Sequence, residues 1–315
     1  MKNIPSVDLS DFISNDPKRK QKFIKEIGEA YEEIGFVALK GHFLSDNLSN
    51  NLYNEVKSFF DLPEEVKESY EIDGIGGQRG YTSFGKESAK GRSEGDLKEF
   101  WHFGQDVVGN DKLKAEYPNN VEVSEIPHFN SIGMETYKML EKTAIYVLRA
   151  LSLYIGLDEL YFDKYVTNGN SILRPIHYPP IQGEPKGAVR AAAHGDINLI
   201  TLLMGASASG LEVQNKKGDW IPVTALPEQL VINVGDMLER LTNNKLRSTI
   251  HRVVNPPKED WEKPRYSIPF FTHPISEMSL NCLPECISEK NPKAYDDITA
   301  GEFLTVRLKE LGLIK

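Results

Sequence analysis

Ala193-His194-Gly195-Asp196-Ile197-Asn198-Leu199-Ile200-Thr201-Leu202-Leu203 joins a His-x-Asp pair to an apolar, partly β-branched run. On a regular strand side chains alternate with period two, so His194, Asp196 and Asn198 would project from one face. The C-terminal half shares this strand character. Short apolar runs at 172–178, 197–204, 211–214, 220–223, 230–234, 250–254 and 266–272 are separated by Gly, Asn, Asp and Pro, which punctuate tight turns. Many short strands with tight turns predict a sandwich or barrel rather than a doubly wound sheet. The expected fold is mainly β with flanking helices, built on a double-stranded β-helix (jelly roll) core.

A second imidazole arrives with Ser248-Thr249-Ile250-His251. Taken alone, His-x-Asp also fits a turn whose Asp bonds backbone N–H groups. Two imidazoles and one carboxylate on a half-open site, however, form the facial triad that holds non-haem Fe(II) and leaves positions for oxygen and a co-substrate. His194, Asp196 and His251 are thus the candidate metal ligands and catalytic residues. Farther on, Arg265-Tyr266-Ser267 puts Arg265 and Ser267 on one strand face. A planar guanidinium beside a hydroxyl offers donors that could clamp a dicarboxylate.

These residues, together with Leu199-Ile200-Thr201-Leu202-Leu203, Trp220-Ile221-Pro222-Val223 and Asn233-Val234-Gly235-Asp236, resemble the isopenicillin N synthase-like branch of the 2-oxoglutarate/Fe(II)-dependent dioxygenase superfamily. N-terminal counterparts are Ile4-Pro5-Ser6-Val7-Asp8-Leu9, Gly35-Phe36-Val37-Ala38-Leu39, and Arg79-Gly80-Tyr81 followed by Gly85-Lys86-Glu87. The resemblance covers nearly the whole chain and is weakest over 100–170.

It implies the same jelly roll, Fe(II) at the triad, and 2-oxoglutarate and O2 as co-substrates. It also implies that a small molecule is oxidised, with hydroxylation the usual outcome, as succinate and CO2 are released. Arg265 and Ser267 match the family's pair for the distal carboxylate of 2-oxoglutarate. Tyr178 matches the last tyrosine of its Asn-Tyr-Tyr-Pro motif, but Ile176 and His177 stand where many relatives carry Asn and Tyr. The stretch matching Arg79-Gly80-Tyr81 lies near the active-site mouth in the family, which makes Arg79 and Tyr81 candidate substrate contacts. A surface arginine and a packed tyrosine are the structural alternatives for them. Asn198 and His177 are further substrate candidates, and Arg190 is near enough in sequence to the triad to touch substrate or to form an ion pair. His102, lacking a ligand-spaced partner, reads as a hydrogen-bonded structural histidine, as do the isolated His42, His128 and His273. Asp236 reads as a turn residue. Two other readings stay open: an oxoacid-independent iron oxidase or cyclase of the same family, and a non-catalytic metal-binding barrel.

With 315 residues, 40% hydrophobic and 26% charged, the chain can bury a sizeable core. A formal charge of −9 and a pI near 5.4 argue against a nucleic-acid surface, which needs clustered Lys and Arg. Cys282 and Cys286, four apart, read as two reduced thiols rather than a zinc site or disulfide framework. Pro5, Asp8 and Asp11 interrupt any secretory apolar region, and no run is long enough to span a membrane. A monomeric, cytoplasmic enzyme acting on a small molecule is the expectation, with neither nucleic acid nor membrane as partner.

Four regions are expected: 1–110, an N-terminal dioxygenase region packing on the core; 111–168, a backing helix; 169–280, the jelly-roll core; and 281–315, a C-terminal extension. Asp16-Pro17 should cap a helix reaching Gly35, and a second should run from Asp46 until Pro63 stops the chain. The glycine-rich stretch 71–95, including Gly91 and Gly95, lacks the following Lys-Ser/Thr of a phosphate loop and reads as a pocket-lining loop. A long helix should run from Pro127 to Gly156, its apolar stripe backing the sheet. Phe303, Val306, Leu308 and Leu311 mark a last helix at the barrel mouth.

Overall fold

A computed structural model describes residues 3–86, 96–107, 109–185, 188–205, 210–224 and 226–310. Glu87, Gly91, Gly95 and Leu311, used above, lie outside the described residues. The strands form two sheets. The larger runs in the order Ser6–Asp8, Phe36–Lys40, Leu230–Val234, Ile200–Met204, Arg265–Thr272, Ile172–Leu173, Glu99–Gly104 and Gly80–Thr82, and Ile176–Tyr178 bridges Arg265–Thr272 and Glu99–Gly104. The smaller sets Trp220–Pro222, Leu211–Gln214, His251–Val253 and Ala191–His194 side by side. Two largely antiparallel sheets enclosing one interior make the expected double-stranded β-helix. The N-terminal region does more than pack on this core, since its four strands are hydrogen-bonded into the larger sheet.

Three local readings along the strands need correction. Ala191–His194 is a strand that no apolar run announced, because Ala191-Ala192-Ala193 has weak β-propensity and gains its strand form from pairing with His251–Val253. That strand ends at His194, so Asp196 sits on the connection to Ile200–Met204 and not in alternation along one strand. The run 172–178 is split in two: Arg174 donates its backbone N–H to Pro269 O at 2.8 Å, and the Pro175 that follows has no N–H to give.

The helices follow their end signals. Asp16 accepts from Lys18 N with Pro17 in the first turn of Pro17–Glu33, and Gly35 (φ 73°) ends that helix in the left-handed region. Ser45 caps Asp46–Phe60. The long helix Phe129–Ile155 ends at Gly156 (φ 90°). It buries Tyr137, Leu140, Ala144, Val147, Leu148 and Leu151 against the sheet and the two earlier helices. An aromatic knot of Phe59, Trp101, Phe103 and Phe129, with Phe59 and Phe129 stacked at 5.0 Å, locks helices to strand Glu99–Gly104. Each such ring removes about 1.5–3 kcal/mol worth of apolar surface from water. Asp236 is no turn residue: it opens the short helix Asp236–Leu241.

Candidate active site

A cavity of about 920 Å³ opens between the sheets, and His194, Asp196 and His251 lie on its wall. His194 and His251 are Cα partners on neighbouring strands of the smaller sheet, with ring centroids 4.5 Å apart. Nε2 of His194 and of His251 lie 3.9 Å and 3.7 Å from Asp196 Oδ1, and the three candidate ligand atoms fall within 4.8 Å of one another. His194 Nδ1 donates to Ala192 O at 2.6 Å and His251 Nδ1 to Thr249 O at 3.1 Å. Both Nε2 lone pairs are thereby turned to the common point, the usual way a ligating imidazole is oriented. His194 keeps an edge open to the cavity but is surrounded by protein. Burial, aided by neighbouring His251, pushes its pKa down to about 4 and keeps it neutral for coordination.

The carboxylate is braced from the opposite sheet. Thr201 Oγ1 and Asn233 Nδ2, directly opposite one another on paired strands, donate to Asp196 Oδ2 at 2.6 and 2.8 Å, leaving Oδ1 aimed between the imidazoles. Burial alone would raise the Asp196 pKa, but the two histidines and these two donors outweigh it and hold the group ionised. Close backbone approach fixes the connection: Asp236 N donates to Asp196 O at 2.7 Å, and a Cβ on Gly235 would lie 2.1 Å from Asn198 O. Neither brace was assigned a role from the sequence, although a polar residue at an inward position of an apolar strand is the signal. Replacing Asn233 by leucine is expected to weaken Fe(II) binding about 10–100-fold, as loss of such supporting bonds does. Anaerobic metal titration reads the shift, and unchanged affinity would remove Asn233 from the site.

Arg265 and Ser267 face the same cavity, as strand alternation requires. Arg265 is fully buried, pairs in register with Tyr178, and holds its guanidinium 4.9 Å from that ring. Ile176 pairs with Ser267 and adds an apolar wall. A buried guanidinium with a hydroxyl on its own strand suits an elongated dicarboxylate, and three N/O ligands that leave half an octahedron open suit Fe(II). The donor set fits both groups.

Comparison with known proteins agrees with this geometry. Residues 169–274 match the family model described as 2OG-Fe(II) oxygenase superfamily, and residues 4–124 match that of the non-haem dioxygenase in morphine synthesis N-terminal region. The chain is 44% identical to a protein of Caulobacter crescentus assigned to the 2OG-Fe(II) oxygenase family, with 98% of each chain covered and a TM-score of 0.88. The chain belongs to the 2OG-Fe(II) oxygenase superfamily. A Neurospora crassa protein solved with alpha-KG (2-oxoglutarate) and thymine is 31% identical, with 97% of this chain and 96% of that one covered and a TM-score of 0.85. Among sequence relatives, proline hydroxylase buaE of Petromyces alliaceus is 30% identical over 97% of this chain and 98% of its own. The protein is therefore a non-haem iron, 2-oxoglutarate-dependent dioxygenase, and the oxoacid-independent alternative is not favoured.

Of the other candidate residues of this oxygenase, Tyr81 and Asn198 reach the cavity, whereas Arg79, His177 and Arg190 do not. Arg79 is neither a surface group nor on the cavity wall; it is fully buried, its guanidinium against Gly104, where a Cβ would come within 1.7 Å of its Cζ. His177 points away from the cavity, on the strand face opposite Ile176 and Tyr178. Its Nδ1 lies 2.7 Å from Glu99 Oε1, and its ring stacks on Tyr266 at 4.8 Å. Glu99 also takes Lys67 Nζ at 2.7 Å and the hydroxyl of Tyr81, so Tyr81 borders the cavity with its polar end already committed. Asn198 reaches the cavity wall but spends its amide on Ile200 O and Thr201 Oγ1. Arg190, also off the cavity wall, donates to Lys263 O and lies 5.9 Å from the Tyr178 ring. His102 is hydrogen-bonded, as read, yet lines the cavity, as does His273. Leu304, Arg307 and Leu308 bring the last helix, Ala300–Glu310, onto the same wall, and Arg307 lies 3.4 Å from Asp236.

Proposed function

We propose that this dioxygenase hydroxylates a small molecule at an unactivated C–H bond, converting substrate, 2-oxoglutarate and O2 to alcohol, succinate and CO2. In this reading His194, Asp196 and His251 hold Fe(II), Arg265 and Ser267 bind the distal carboxylate of 2-oxoglutarate, and Tyr178 borders that pocket. Bound Fe(II) supplies the redox chemistry that couples decarboxylation of the oxoacid to oxidation of the substrate. The protein orients both imidazoles through Nδ1 and holds Asp196 ionised, with Thr201 and Asn233 occupying Oδ2 so that Oδ1 is left for the metal. The observation that carries the reading is the convergence of the three ligand atoms within 4.8 Å in one cavity with Arg265. The chemistry of the relatives supports a small substrate: one is named for proline hydroxylation and another was solved with thymine.

We further place the chain in the isopenicillin N synthase-like branch, as a cytoplasmic monomer that does not bind nucleic acid. The N-terminal family match, two free buried cysteines and the net charge of −9 support this, and no helix among the described residues is long and apolar enough to cross a membrane. Anaerobic addition of 2-oxoglutarate to the Fe(II)-loaded protein should raise an oxoacid-to-metal charge-transfer band, and a metabolite screen should find compounds that stimulate succinate release. Absence of both would overturn the proposal.

A further inference from the structure

Asn170 and His273 line the active-site cavity from two neighbouring segments, just beyond the ends of strands Ile172–Leu173 and Arg265–Thr272. Phe271 and Ile172 are partners in the antiparallel ladder, and both line the cavity. Side chains return to the same face every second residue, so the register carried two places on sets His273 opposite Asn170, with Cβ atoms about 5 Å apart. The backbone there is firmly held. Asn170 N donates to Pro274 O at 3.4 Å, His273 N to Ser171 Oγ at 3.1 Å, and the Tyr137 hydroxyl to Ser171 O at 3.1 Å.

The two side chains, by contrast, are unspent. His273 Nδ1 and Asn170 Oδ1 are buried without a hydrogen-bond partner among the described residues, although both residues border the cavity. A buried polar atom left unpaired is costly, and two of them side by side on a cavity wall call for a ligand that pairs them. Burial pushes the His273 pKa down to about 4, so near pH 7 the imidazole is neutral, one nitrogen donating and the other accepting. Asn170 likewise carries a donor, an acceptor and no charge. Arg265, Ser267, Phe271 and His273 all lie on the cavity face of one strand and its extension, so the pair sits at the end away from the oxoacid clamp. Leu199 N donates to Thr272 O at 3.0 Å, which ties that end to the connection carrying Asp196, and His273 is within electrostatic reach of Asp196.

We propose that Asn170 and His273 bind the amide edge of an uncharged substrate, a lactam or primary carboxamide, accepting its N–H and donating to its carbonyl. The proposal rests on the oxygenase reading above and names the substrate class of that site. Two side chains on one wall need donor and acceptor on the same edge of the ligand. A lactam or primary carboxamide shows both there, whereas an open-chain secondary amide is trans and turns them to opposite sides. A carboxylate offers acceptors alone and brings its charge toward Asp196. Phe271 and Ile172, next on the same face, flank the carbon body of the substrate.

The test uses the full-length protein, loaded anaerobically with Fe(II) and 2-oxoglutarate. Calorimetric titration compares phenyl-substituted δ-valerolactams with their N-methyl derivatives, the matching cyclohexanones and 3-phenylpropanoate while the charge-transfer band is followed. The lactams should bind about 10–100-fold tighter than the other three, since each of those leaves a buried group unpaired, with the band retained. His273→Phe and Asn170→Leu should each abolish the preference for lactam over N-methyl lactam while leaving the band in place. Equal binding of lactams and N-methyl lactams by wild type, tighter binding of the acid, a panel in which no lactam binds, or a preference that survives both substitutions would each overturn the proposal. The wild-type comparison decides even if a variant fails to fold. A band missing before any ligand is added overturns the oxygenase reading and this proposal with it, whereas a normal band without a lactam preference overturns the proposal alone.

Discussion

His251→Ala is expected to lower iron-dependent turnover by roughly a thousandfold or more, since supporting bonds around a ligand alone are worth about 10–100-fold. His251 does two jobs in the structure. Its Nε2 closes the triangle with His194 and Asp196, and its place opposite His194 on the paired strand sets the two rings side by side. Removing the imidazole leaves two protein ligands and a gap against Phe36, whose ring meets His251 edge-on at 5.6 Å. Succinate formation, measured with saturating Fe(II), is the readout, and circular dichroism checks that the sheet persists. Turnover near the wild-type rate in a folded variant would take His251 out of the metal site.

Arg265→Lys should raise the 2-oxoglutarate requirement roughly 10–100-fold while leaving Fe(II) affinity within about twofold, because lysine keeps the charge but loses the planar fork. The fully buried position makes the change severe. An ammonium on a flexible stem can neither meet a carboxylate through two parallel bonds nor lie against the Tyr178 ring as the guanidinium does at 4.9 Å. The expected signature is a raised KM for the oxoacid at unchanged metal titration. Equal oxoacid affinity in wild type and variant would sink the assignment, and a parallel loss of metal binding would point to a collapsed cavity.

That His194, Asp196, His251, Arg265 and Ser267 share one cavity was legible in the sequence because several motifs pointed the same way, although His-x-Asp alone also fits a turn. The jelly roll was legible from the strand periodicity and turn residues. Where reading failed, the missing information was three-dimensional. Asp196 shares a site with His194 through a connection held by Asp236 N and the bare Gly235, not through strand alternation. Thr201 and Asn233 become a brace only because their strands pair in one register. His177 is different: period two sets it opposite Ile176 and Tyr178, so its turn away from the cavity is already present in the alternation. Arg79 could not be placed, since its burial depends on Gly104, remote in sequence but on the strand that pairs with Gly80–Thr82. His273 had no sequence partner, and its place on the wall follows from the end of strand Arg265–Thr272.

The last helix, Ala300–Glu310, completes the chamber with Leu304, Arg307 and Leu308, yet belongs to no strand of the barrel. The chamber beside the triad is therefore walled by two parts of the polypeptide, strand residues such as Ile172 and Phe271 and this short terminal segment. That segment is anchored by Arg307 on Asp236, by Ala300 N on Met278 O and by Gly301 N on Ser276 O, so an exchanged tail that keeps these anchors would alter part of the chamber wall while leaving the triad in place.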